Sequence, residues 1–76
     1  MEFEVIGYGK IAGITGASLR VSDVRDIDSL RRKLELDFPF LKDTIYLVAV
    51  NKKMVTENIS LENGAVVALM PPFSGG

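Results

Sequence analysis

A chain of 76 residues with 47% hydrophobic side chains is one small folding domain, not a disordered segment. Nine basic and ten acidic side chains leave a net charge of -1, so no polyanion-binding surface is implied. The absence of Cys and His excludes disulfides, a thiolate nucleophile, the usual zinc ligands and a Ser-His-Asp arrangement.

Residues 2–8 open with Glu2, Phe3, Glu4 and Val5 in alternation, which predicts a strand with one wet and one dry face. Residues 9–16 carry Gly9, Gly13 and Gly16 and read as a glycine-punctuated connection. Residues 17–22 alternate again, with Leu19 and Val21 on one face and Ser18, Arg20 and Ser22 on the other. The two strands are expected to form a hairpin with a long loop.

Asp26 suits a helix N-cap. After it, Ile27, Leu30, Leu34 and Phe38 fall at i, i+3, i+7 and i+11, an apolar helical stripe. Arg31, Arg32, Lys33, Glu35 and Asp37 cover most of the other side. Pro39 stops the helix, because the residue before a proline avoids helical angles.

Residues 45–50, Ile45-Tyr46-Leu47-Val48-Ala49-Val50, predict a third strand. Asn51-Lys52-Lys53 turns the chain, Met54-Val55 begins a short return, and Asn63-Gly64 marks the turn into a last strand at residues 65–70. The order is ββαββ, an α+β arrangement of a sheet and one main helix in two layers. Two layers leave one sheet face without a helical cover. Strand 2–8 respects that by turning Glu2 and Glu4 outward. The strands at 45–50 and 65–70 are apolar on both faces, so part of their apolar surface is expected to be exposed for binding. Val48, Val50, Val67 and Leu69 are assigned to the helix side. Leu47, Ala49, Ala68 and Met70 are assigned to the open side.

Several patterns carry less than their appearance suggests. Gly7-Tyr8-Gly9 with Gly13 and Gly16 fits neither nucleotide fingerprint. Asn58-Ile59-Ser60 matches a glycosylation acceptor, but Met1-Glu2-Phe3-Glu4 does not open a secretory signal. Lys52-Lys53 is a solvated turn near the apolar surface. The carboxylates from Asp23 to Asp43 follow the helix and its flanks as a solvated face. No apolar run approaches the roughly 20 residues of a membrane span. A cytoplasmic chain that binds neither nucleic acid nor membrane is expected.

The sequence closes on Pro71-Pro72-Phe73-Ser74-Gly75-Gly76. Two prolines cannot continue a strand ladder, so residues 1–70 are expected to fold and residues 71–76 to form a flexible tail. Six extended residues reach roughly 20 Å at about 3.3–3.6 Å each. Glycines lack a Cβ and can thread a channel too narrow for other residues. The Gly76 carboxylate is therefore expected to work inside a partner's active site.

The segments Ala49-Val50-Asn51, Met54-Val55, Leu61, Gly64, Val67-Ala68, Pro71-Pro72 and Gly75-Gly76 together resemble the small, ubiquitin-like subunit of molybdopterin synthase. Upstream, Tyr8-Gly9, Gly16, Asp26-Ile27 and Leu30-Arg31 stand in register with it. The Pro-Pro-x-x-Gly-Gly end is the most specific part. The sulfur carrier of thiazole biosynthesis is similar in the Ala-Val-Asn segment and the Gly-Gly end but usually lacks the double proline. One departure stands in the first loop, where the family often has an Arg-Glu pair and this chain has Ala12-Gly13.

The resemblance implies a ubiquitin-like β-grasp fold and a carrier role, not an autonomous enzyme. It implies that an E1-like enzyme, using its own ATP and magnesium, adenylates Gly76. A sulfur donor system then converts Gly76 to a thiocarboxylate, with Gly75 leading it into the site. The large synthase subunit receives the tail, and sulfur passes to cyclic pyranopterin monophosphate to build the molybdopterin dithiolene. Tyr8, Met54, Met70, Pro71, Pro72, Phe73 and Ser74 are the implied partner contacts. No cofactor or metal is implied for this chain itself. A carrier for thiazole synthesis and a ubiquitin-like protein modifier are the alternatives, since both need the same adenylate.

Overall fold

The computed structural model describes residues 2–72. Five strands and two helices follow in the order β1 (Glu2–Gly7), α1 (Lys10–Thr15), β2 (Ser18–Ser22), α2 (Ile27–Asp37), β3 (Leu47–Val50), β4 (Lys53–Val55) and β5 (Val66–Met70). A 3-10 turn at Pro39–Asp43 links α2 to β3. The sheet order is β2-β1-β5-β3-β4. β1 and β5 pair in parallel at the centre, and the other neighbours pair antiparallel. This mixed sheet with α2 on one face is the β-grasp fold.

Sequence periodicity explains most of the elements. Ile27, Leu30 and Leu34 are buried along one face of α2. They pack with Phe3, Val5, Val48, Val67 and Leu69 from the sheet and with Leu41 and Leu61. Burying each such side chain contributes about 1.5–3 kcal/mol. The start of α2 is tied down by a capping box. Asp26 Oδ1 accepts the Ser29 N–H at 2.8 Å, and Ser29 Oγ accepts the Asp26 N–H at 3.2 Å. Asn58 extends the cap, donating to Asp26 Oδ2 at 3.3 Å and accepting the Asp28 N–H at 2.8 Å. The Asn58-Ile59-Ser60 motif therefore braces a helix. At the other end Phe38 is the C-cap, not a helical residue, and Pro39 opens the 3-10 turn.

The segment at residues 9–16 departs from expectation. It is a short helix, not a loop. Ile11 and Thr15 are buried one turn apart, and Ile14 packs against the core. Gly7 lets this helix lie close on β1. A Cβ there would stand 2.8 Å from Thr15 Oγ1 and 3.1 Å from Ala12 Cα. Gly9 and Gly16 cap the helix rather than interrupt it, and tertiary burial of Ile11 and Thr15 outweighs the low helix propensity of Gly13. Four strand ends also shorten by one or two residues, to Gly7, Ser18, Leu47 and Val66.

Candidate functional site

Strand register builds a hollow on the open face of the sheet. Ile6 stands beside Ala68, Ala68 beside Ala49, and Ala49 beside Met54. This row crosses four strands and has its two smallest side chains in the middle. Leu47 and Met70 form a second pair one step along. Large side chains at the margins over an alanine floor leave an open concavity of about 1490 Å³. That exceeds the roughly 300–1,000 Å³ of a small-ligand cleft, so its size suits a protein surface better.

Tyr8, Met54, Met70, Pro71 and Pro72 all line this one concavity. Tyr8 is 49% exposed and Met54 52% exposed, while Met70, Pro71 and Pro72 are half-buried. Phe73, Ser74, Gly75 and Gly76 lie outside the described residues. The assigned faces agree with the structure. Val48, Val67 and Leu69 are buried in the core and Val50 packs against it. Leu47, Ala49, Ala68 and Met70 line the concavity. Ala49 is nonetheless buried, shielded from solvent although it lies outside the helix-side core.

Sequence reasoning overlooked Ile6 and Ile45, which also line the concavity. The signal was available, because Ile6 shares strand parity with Glu2 and Glu4. Ile45 shares it with Leu47 and Ala49, and it is 77% exposed. The polar margin carries Lys10 and Lys52, with Asp43 on the same rim.

Asn51 and Lys52 hold the margin between β3 and β4. Both have positive φ, 50° and 72°, as a two-residue hairpin turn requires. The Asn51 side chain accepts the Val66 N–H at 3.0 Å, and the Asn51 N–H donates to the Val66 carbonyl at 2.8 Å. The turn is thereby stitched to β5.

The perturbed titratable groups lie elsewhere. Burial pushes the Tyr46 phenol up, although Arg31 donates to it at 3.3 Å and lies over its ring. Hydrogen bonds from Ser29 hold the Asp26 carboxyl below its ordinary value. Both support α2. Among the described residues, no group of His, Cys, Asp and Glu is arranged to hold a metal ion. None of the described helices is long and apolar enough to cross a membrane. The concavity thus offers shape and apolar contact beside a rim that carries Lys10, Asp43 and Lys52.

Solved structures share this architecture. A putative molybdopterin converting factor subunit 1 from Pyrococcus furiosus is 17% identical, with TM-score 0.86 over 96% of this chain and 99% of its own. A chain in the complex of subunits 1 and 2 of molybdopterin-converting factor from Helicobacter pylori is 26% identical, with TM-score 0.75 over the whole of both chains. The small archaeal modifier protein 1 from Haloferax volcanii is 21% identical, with TM-score 0.81 over the whole of both chains. No curated protein matches the sequence. Residues 8–76 match the ThiS family, and the chain belongs to this family of ubiquitin-like sulfur carriers.

Proposed function

We propose that this chain is the sulfur-carrying small subunit of a molybdopterin synthase and works in the cytoplasm. The observation that carries the reading is the alanine-floored apolar face, with Pro71 and Pro72 on its margin. A partner seated on that face receives the segment that follows the prolines. Full-length similarity to a chain from the Helicobacter pylori complex of two converting-factor subunits supports the same partner class.

Chemistry then follows from the carboxylate of Gly76. A C-terminal carboxylate titrates at about 3.3–3.7, so at neutral pH it is ionised and inert toward acyl exchange. It needs activation, and an E1-like enzyme with ATP and magnesium supplies it as an acyl-adenylate. A sulfur donor system displaces AMP and leaves the thiocarboxylate. In the large subunit the sulfur passes to cyclic pyranopterin monophosphate, and two rounds complete the dithiolene. This chain contributes docking through Tyr8, Met54 and Met70 and reach through residues 71–74. Gly75 contributes slimness. The chain is a carrier, and the catalytic groups belong to its partners. Pro71-Pro72 favours this assignment over the thiazole carrier.

Gly75→Val tests the reading. A branched side chain blocks a channel shaped for glycine and narrows the backbone angles available. The variant is expected to melt with the wild type and to lose adenylation by the activating enzyme or sulfur delivery to the large subunit. Wild-type rates of both steps would refute the assignment.

A further inference from the structure

β5 runs parallel to β1, with Gly7 opposite Leu69. In a parallel ladder every second residue of a strand bonds to the two residues flanking its partner, and on β1 Tyr8 continues the set facing β5. The Tyr8 N–H donates to the Leu69 carbonyl at 3.0 Å, which is one half of that pattern. The other half needs an N–H at position 71, and Pro71 has none. The Tyr8 carbonyl instead accepts the Ile11 N–H at 3.0 Å and starts α1. The two strands therefore part at this point, and the ladder stops guiding the residues after Met70.

A different contact takes over. Gly9 has φ 55° and ψ -133°, a region closed to L side chains by sterics. A Cβ on Gly9 would lie 3.0 Å from Pro71 Cγ and 3.6 Å from its Cδ. The Pro71 ring thus lies against the bare backbone of Gly9. Gly16, at the other end of α1, also has positive φ, 90°, but a Cβ there meets nothing within 4 Å. Positive φ explains a glycine at both positions. The ring contact is particular to Gly9.

We infer that Gly9 is a positioning residue: it is the seat of the Pro71 ring and sets the direction in which the tail leaves the sheet. This role rests on the proposed activation of Gly76. The seat fixes the root of the segment with no hydrogen bond, through ring shape and the restricted φ of proline. Fixing the root narrows the space that the following residues must search, and poor placement of a reacting group is costly in rate.

The test is steady-state adenylation of Gly76 by the activating enzyme, with kcat and KM measured separately. Gly9→Ala and Pro71→Gly are each expected to lower kcat by about tenfold to a hundredfold; both positions line the docking face, so the fall in kcat, and not KM, carries the test. Gly16→Ala carries similar backbone strain in the same helix. It is expected to lower the melting temperature as Gly9→Ala does, yet keep wild-type kcat. A Gly9→Ala protein with wild-type kcat would overturn the seat, and so would equal kcat losses in Gly9→Ala and Gly16→Ala. Should Gly9→Ala fail to fold, wild-type kcat in Pro71→Gly overturns it alone. An NMR cross-peak between Gly9 Hα and the Pro71 ring protons is expected in the free wild-type protein, and its absence also overturns the seat. Failure of the wild type itself to be adenylated, with that cross-peak present, rejects the functional reading while the contact stands.

Discussion

Along its central strands, the two faces of this sheet carry similar apolar side chains, yet they are built for different ends. On the helix side, Val5, Val67 and Leu69 are fully buried beneath Leu30 and Leu34. On the open side, one residue along each strand, Ile6, Ala68 and Met70 stay only half-buried. Nothing in composition separates the sets. Parity along the strand and the single layer of helix do. A substitution on one face should therefore cost stability, and its sequence neighbour on the other face should cost binding.

The neighbours Leu69 and Met70 test that division most sharply. Leu69→Ala empties a fully buried site, and the loss is expected at about 2–5 kcal/mol in denaturant unfolding. That is a large share of the roughly 5–15 kcal/mol typical of a domain. Met70→Lys is expected to leave the melt nearly unchanged and to weaken large-subunit binding by at least about tenfold, or roughly 1.4 kcal/mol, in calorimetric titration. Methionine adapts to irregular partners, and binding energy concentrates in few residues. Intact binding with a much lower melting temperature for Met70→Lys would reverse the assignment of faces.

Asp26 sharpens the comparison from the helix layer. Its pKa is lowered by hydrogen bonds from Ser29, and the Asn58 amide adds to the effect. Folding thus favours the ionised form. That contribution is present above the ordinary value of 3.8 and is lost as pH falls through the lower folded value. Asp26→Asn keeps a capping oxygen without the charge. Its stability is expected to fall less steeply than that of the wild type below pH 3.8, as chemical denaturation at stepped pH would show. The smallest effect belongs to the Glu2–Arg20 pair at 3.3 Å on the exposed part of the open face. Glu2→Gln is expected to change stability by less than about 0.5 kcal/mol and to leave partner binding alone.

How much of this was legible depended on how local the cause was. Helix α2, its Asp26 cap and its stop before Pro39 were readable, because stripe, cap and breaker all lie within a few residues of one another. The two faces were readable from alternation. The first helix was not, since Gly9, Gly13 and Gly16 argue locally for a loop. What overrides them is the burial of Ile11 and Thr15 in a core assembled from distant strands. The concavity was half legible. Its apolar character follows from parity, but its floor exists because register aligns Ala68 with Ala49. The seat of Pro71 on Gly9 joins opposite ends of the chain, and no local pattern announces it.

The central claim is that the chain carries sulfur on Gly76, and intact mass measures it directly. The protein is isolated from its own cells under non-reducing conditions and its C-terminal peptide is fragmented. The account predicts a species in which one oxygen is exchanged for sulfur, located at Gly76, which reverts to the carboxylate after incubation with the large subunit and cyclic pyranopterin monophosphate. A chain found only as the free carboxylate, or joined through Gly76 to lysines of other proteins, would contradict it.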